Sequence, residues 1–355
     1  MKSLFRKKQP SLIGLDIGTR HIKAVLLEQS DSGYQLTGIA CEPIQKQSFQ
    51  EREIKDYEAV SQALKKVKIA LKSRTKNVVV AVAGTSVINK VIQMESDQEE
   101  YELEGQIELE ADSLIPYPFE EVYLDFEELG PSSTHAGKVD VLITAAHKEL
   151  VDSRLLLARE VNFDPKIVDI ESFAIGNALG MVLDNPESTE AQCCINIGAS
   201  LLQLCVWQNN QLIYNKEHVF GTNQLVDDIS AIHMMEREEA ERGLLTNSLP
   251  TSWQEDALPV FAANLQQQIN RALQMYMSAT HAEQPDELLL CGGGATIPAL
   301  VSMLSQDFML PVKVLNPFAH MSIAPKLDKE SVDQLAPQLV VATGLASRSF
   351  VPWHI

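Results

Sequence analysis

One stretch near the start limits most what this chain can fold into: Ile13-Gly14-Leu15-Asp16-Ile17-Gly18-Thr19-Arg20-His21-Ile22-Lys23. An apolar run from Leu12 to Ile17 carries a single acid, and a second run follows from Ile22 to Leu27. Two such runs joined by a turn of a few residues read as a β-hairpin. Gly18, lacking a Cβ, lets the backbone turn tightly and come close to a ligand. Turn amides and the Thr19 hydroxyl can then face phosphate oxygens. Asp16 stands where a carboxylate could hold Mg2+ through water, and Lys23 or Arg20 adds positive charge. On this stretch alone, a plain hairpin with a polar turn is an equally open reading.

The pattern returns in the second half. Cys194 to Ile197 reads as a strand, Gly198-Ala199-Ser200 as a tight turn, and Leu201 to Val206 as a strand. Each hairpin leads to a third run, Gln35 to Ile44 in the first copy and Leu212 to Val219 in the second. This is an internal repeat, and 355 residues are enough for two lobes. The polar stretch 184–191 is the expected border between them. Gly221 opens a mainly helical region, about 218–281. Glu287 to Cys291 is a strand running into Gly292-Gly293-Gly294-Ala295 and then a helix. Residues 337–347, rich in small side chains, form a helix able to pack closely.

Between the hairpins, Tyr57, Val60, Leu64, Val67 and Leu71 recur at helical spacing. Residues 77–148 read as a strand-strand-helix-strand-strand unit, inserted between core segments 1–76 and 149–190. Its helix is marked by Leu103, Ile107, Ala111 and Leu114 and stopped by Pro116. From Glu95 to Gly130 there are fourteen acids and no Lys or Arg. The net charge of −19 argues against nucleic acid as a main partner and against direct adhesion to anionic lipid. The five cysteines show no ligand spacing and lie in apolar runs, so they are expected as buried thiols in a reducing compartment. No signal peptide or membrane-spanning run is evident, which predicts a cytoplasmic chain. The basic N-terminal decapeptide is expected to fray.

Two similar hairpins with phosphate turns, followed by strand–Gly-Gly-Gly–helix, resemble the actin-like ATPases. The resemblance implies a ribonuclease H-like α/β fold whose two lobes close on ATP or ADP with Mg2+. Residues 16–19 and 196–200 would be the phosphate loops and 292–295 the adenosine motif. The segments 168–177 and 341–347 would be the hinge connectors. The insertion at 77–148 resembles the SHS2-like subdomain of the FtsA and PilM proteins. The run Ala111-Asp-Ser-Leu-Ile-Pro-Tyr-Pro-Phe-Glu-Glu-Val-Tyr-Leu-Asp-Phe126 is similar to the PilM family in particular. The sequence ends soon after the last connector, without the long tail and amphipathic helix of FtsA.

For the site, the resemblance implies cofactor contacts from Asp16, Gly18, Thr19, Arg20, Lys23, Asn196, Gly198, Ala199, Ser200, Gly221, Glu241, Gly292, Gly293, Gly294 and Ala295. Two positions depart from the family. Asn196 replaces the usual acid of the second loop, and an amide offers no negative charge to a metal. Leu244 stands where a Lys near the ribose is usual, with Glu241 and Arg242 as nearby substitutes. Both make efficient hydrolysis doubtful. Glu171 aligns with the water-orienting position, although an acid at a helix N-terminus is also favoured by the macrodipole alone. By resemblance, the function is a nucleotide-binding adaptor at the inner membrane. It would grip the N-terminal cytoplasmic peptide of PilN and link the PilN–PilO complex to the pilus motor ATPases. The peptide groove would involve Val80, Val82, Ile115, Tyr117 and Phe119, although Ile115 and Phe119 individually are rather expected to pack in the insert's own core. A turning-over ATPase or sugar kinase, and an FtsA-like filament, are the alternatives.

Overall fold

The computed structural model describes residues 11–351, apart from 31–32, 45–47, 51, 85, 97–104, 108, 111–113, 133–134, 184–189, 210 and 247. The N-terminal decapeptide and most of the 184–191 border lie outside the described residues. The chain forms two compact units, Met1–Ala81 with Ala158–Ile355, and Val82–Leu157.

The first unit opens with an antiparallel meander of β1 (Ile13–Ile17), β2 (His21–Ser30) and β3 (Gly33–Pro43). A two-rung hairpin follows, β4 (Phe49–Gln50) and β5 (Glu53–Ile54). Helix α1 (Tyr57–Leu71) is capped by Asp56, whose carboxylate accepts from the Ala59 N–H at 3.0 Å. Its predicted apolar stripe, Val60, Leu64, Val67 and Leu71, is buried. Strand β6 (Asn77–Val82) pairs parallel with β1.

The expected insertion begins at residue 77, but this pairing puts β6 in the sheet of β1. A run apolar at every position suits a parallel strand buried on both faces, and five of the six β6 residues are buried. Val80 and Val82, expected to line a peptide groove, are 0% and 2% exposed and present no side-chain surface to a partner.

The second unit is a three-stranded antiparallel sheet, with β7 (Val87–Glu95) and β8 (Val122–Pro131) on either side of β9 (Lys138–His147). The expected helix falls partly outside the described residues. Residues 105–107, 109–110 and 114 are helical, and Ile107 is buried with Met94, Val139, Val141 and Ile143. Ile115 is buried in a small cluster with Val122 and Ala145. Tyr117 is half-buried, edge-on to the His147 ring. Of the five predicted groove residues, Phe119 alone is well exposed, at 40%. Helix α2 (Lys148–Glu160) carries the chain back to the first unit.

There β10 (Asp164–Ile170) leads directly into helix α3 (Glu171–Gly180). The second copy of the meander is β11 (Gln192–Ile197), β12 (Leu202–Gln208) and β13 (Gln211–His218). The helical region comprises α4 (Thr222–His233), α5 (Arg237–Thr246), α6 (Trp253–Asp256) and α7 (Leu258–Thr280). Strand β14 (Leu288–Cys291) pairs parallel with β11 and is followed by a 3-10 turn, Gly293–Thr296, and helix α8 (Pro298–Asp307). Strands β15 (Val312–Val314) and β16 (Ser322–Ile323), helix α9 (Lys329–Leu335) and helix α10 (Val340–Ala346) complete the chain.

The sheet orders express the repeat. One runs β10-β6-β1-β2-β3-β16 and the other β13-β12-β11-β14-β15. In each, a three-strand meander is extended on its first strand by a parallel partner. This is the α/β fold of the actin-like ATPases. Helices α3 and α10 pack on each other and into the β1 sheet at backbone distance. A Cβ on Gly344 would lie 1.7 Å from the Ala174 carbonyl oxygen, and one on Gly14 1.9 Å from that of Ala342. Those two connectors therefore require glycine where they cross.

Candidate functional site

The two predicted turns share one closing hydrogen bond. In the first, the Gly18 N–H donates to the His21 carbonyl at 3.1 Å, and in the second the Gly198 N–H donates to that of Leu201 at 2.9 Å. A Cβ on either glycine would stand within 2.9 Å of the accepting oxygen, so the turn closes only around glycine. The turns face each other, with Thr19 Oγ1 and Ser200 Oγ 3.2 Å apart. They open onto a cleft of about 1070 Å³. Asp16, Gly18, Thr19, Arg20, Lys23, Glu171, Asn196, Gly198, Ala199, Ser200, Gly292, Gly293 and Ala295 line it. This volume slightly exceeds the usual range for a small-molecule site.

The glycines after β14 have separate tasks. Gly292 adopts φ +85°, its N–H donates to the Pro337 carbonyl at 2.8 Å, and a Cβ there would reach 2.4 Å from Asn196 Oδ1. Gly294 is buried against Ile197 and does not face the cleft. Gly293 does face it, and a Cβ on it would meet nothing within 4 Å. Gly221 also differs from expectation. It lies behind the second turn, and the Thr222 and Asn223 N–H groups after it donate to the Gly198 and Ala199 carbonyls at 3.0 and 2.8 Å. These first amides of α4 shape the turn instead of facing a ligand.

The charged groups are largely paired. Lys23 Nζ lies 2.5 Å from Asp16 Oδ2. Burial works against the ammonium, but the charge and hydrogen bond of Asp16 outweigh it and the Lys23 pKa is raised. Arg20 lines the cleft yet donates to Asn223 Oδ1 at 2.6 Å and lies 3.1 Å from Glu241 Oε1. It ties the first turn to α4 and α5. Glu241, expected near a ribose, is held by Arg20 and by Arg237 at 3.6 Å and does not line the cleft. Glu171, 6% exposed at the start of α3, accepts from Arg52 Nη2.

His21 and Arg52 are among the cleft residues that the sequence does not single out. His21 is kept neutral, its pKa lowered to about 4 by burial and then by Lys23 and Arg20. Arg52 sits in the turn between β4 and β5, strands too short to leave any periodicity.

The arrangement does not fit a resident Mg2+ at Asp16. That carboxylate is 4% exposed and already paired, Glu171 is paired as well, and Asn196 supplies an amide. Among the described residues no cluster of three His, Cys, Asp or Glu could hold a metal ion.

Comparison with known proteins agrees with this fold. The cell division protein FtsA of Bacillus subtilis is 21% identical over 350 residues, spanning 86% of this chain and 78% of FtsA. The ethanolamine utilization protein EutJ of Carboxydothermus hydrogenoformans superimposes with a TM-score of 0.59 at 13% identity, covering 95% of this chain and 89% of EutJ. A solved PilM-PilN type IV pilus biogenesis complex superimposes with a TM-score of 0.83 at 25% identity, covering 97% of this chain and 100% of that one. A family model described as type IV pilus assembly protein PilM matches residues 14–350, nearly the whole chain. The chain therefore belongs to the PilM family of type IV pilus assembly proteins.

Proposed function

We propose that this chain is a nucleotide-binding adaptor of the type IV pilus inner-membrane complex. It binds the N-terminal cytoplasmic peptide of PilN and connects the PilN–PilO complex to the pilus motor ATPases. Family membership and the likeness to a PilM-PilN complex support the partner. With a net charge of −19 and no described helix able to cross a membrane, its place at the inner membrane comes through that partner.

The observation that carries the nucleotide reading is the pair of similarly closed glycine turns that face each other and line one cleft. Their hydroxyls and amides suit phosphates, and the open side of Gly293 suits adenosine of ATP or ADP. Any Mg2+ enters with the phosphates. Replacing Gly293 with Phe places a ring in open space and leaves the packing of Gly292 and Gly294 intact. Calorimetry on a folded G293F variant is expected to show nucleotide affinity reduced at least tenfold, and equal affinity in variant and parent removes the claim.

Turnover is slow, because Asn196 brings no charge and Glu171 is engaged by Arg52. Phosphate release at roughly one to a thousand per second contradicts this part. An FtsA-like filament is the second reading, supported by the 21% identity to FtsA.

A further inference from the structure

The Arg52–Glu171 pair is left unexplained by the two glycine turns. Arg52 belongs to the turn between β4 and β5, outside both phosphate loops. Its side chain is 17% exposed and lines the same cleft. It donates to Glu171 at the first position of connector helix α3. Burial opposes its charge, and the carboxylates that sustain it are Glu171, then Asp16 of the first turn, then Glu217 of β13 in the second meander. Lys23, which answers Asp16, also feels Glu171. Besides Arg20, the cleft thus holds the cations Lys23 and Arg52, with Asp16 and Glu171 as carboxylate partners of those two.

We infer that Arg52 reads the terminal phosphate of a nucleoside triphosphate, exchanging Glu171 for that phosphate, so that the chain distinguishes triphosphate from diphosphate. This rests on the nucleotide reading of the cleft. A guanidinium presents five N–H donors in a planar fork that matches phosphate oxygens two at a time. A doubly charged terminal phosphate competes for that fork better than one carboxylate does, whereas a diphosphate held at the two turns leaves Arg52 on Glu171. Lys23 stands on β2 beside the first turn and serves phosphates common to both nucleotides. Arg52 stands on a separate hairpin, where it can move with the number of phosphates while the sheet stays still. The exchange frees Glu171 at the head of α3, one of the two connectors, so phosphate number reaches the element on which the lobes would hinge.

The test is calorimetric titration of ATP and of ADP into the full chain and three variants. Arg52→Gln is expected to weaken ATP at least tenfold and to leave ADP within about twofold. Glu171→Gln, which removes the competitor, is expected to tighten ATP relative to ADP. Arg52→Gln removes one partner of a buried pair and endangers folding, so the double variant R52Q/E171Q, neutral at both positions, repeats the measurement and is expected to show the same loss of ATP preference. An ATP-to-ADP affinity ratio unchanged in the double variant overturns the inference while leaving the nucleotide reading intact. A parent chain that binds neither nucleotide removes both.

Discussion

His21 closes the first turn with its carbonyl and turns its ring into the cleft wall. Its ring is neutral because burial disfavours the imidazolium, and Lys23 and Arg20 add to that. The unfolded chain titrates this group near its ordinary value of 6.5, the native chain near 4. Between those values the unfolded state binds more protons, so stability from this residue is full above pH 6.5 and lost as the pH falls toward 4. The loss is at most about 3 kcal/mol. Urea unfolding at pH 7 and pH 4.5 is expected to show a smaller drop in His21→Asn than in the parent, and equal drops contradict this placement of the ring. At this scale the sequence is readable only where geometry permits one residue type. Gly18 and Gly198 are legible because a tight turn against a carbonyl admits nothing larger. Glu241 is expected in the cleft but lies outside it, because a charge near a phosphate turn does not reveal its partner. Here Arg20 and Glu241 take each other. Arg52 leaves no local signal, since the carboxylate it pairs with, Glu171, lies 119 residues away.

At the scale of elements, the meanders are legible because each alternation of strand and turn is local. Helix α1 is legible because its stripe has the helical period. Strand β6 is misassigned because an apolar run shows that a strand is buried without naming the sheet that buries it. Only its parallel register, Ile13 with Val78 and Leu15 with Val80, decides. The connectors α3 and α10 show their closeness as small residues in sequence. Gly344 sits where a Cβ would meet the Ala174 carbonyl at 1.7 Å. Backbone cannot yield there as a flexible side chain would, so Gly344→Ala is expected to destabilise by at least about 1–3 kcal/mol. The midpoint of urea unfolding falls accordingly, and an unchanged midpoint contradicts the observed crossing.

At the scale of the whole molecule, the duplication of the meander gives one compact unit its pair of sheets and its cleft, and the unit Val82–Leu157 is built separately around its own sheet. The first could be read from the repeat. The second is legible as an insertion but not in its bounds, and three of the five predicted groove residues, Val80, Val82 and Ile115, are buried. The adaptor role therefore does not rest on those side chains. It rests on the family and on a chain whose charge leaves protein, not lipid, as its route to the membrane. The most direct measurement is fluorescence polarisation of a labelled peptide of the cytoplasmic PilN N-terminus, titrated with the full chain beside a scrambled peptide of the same composition. The account predicts saturable one-to-one binding of the native order alone; a flat titration, or equal binding of the scrambled peptide, contradicts it.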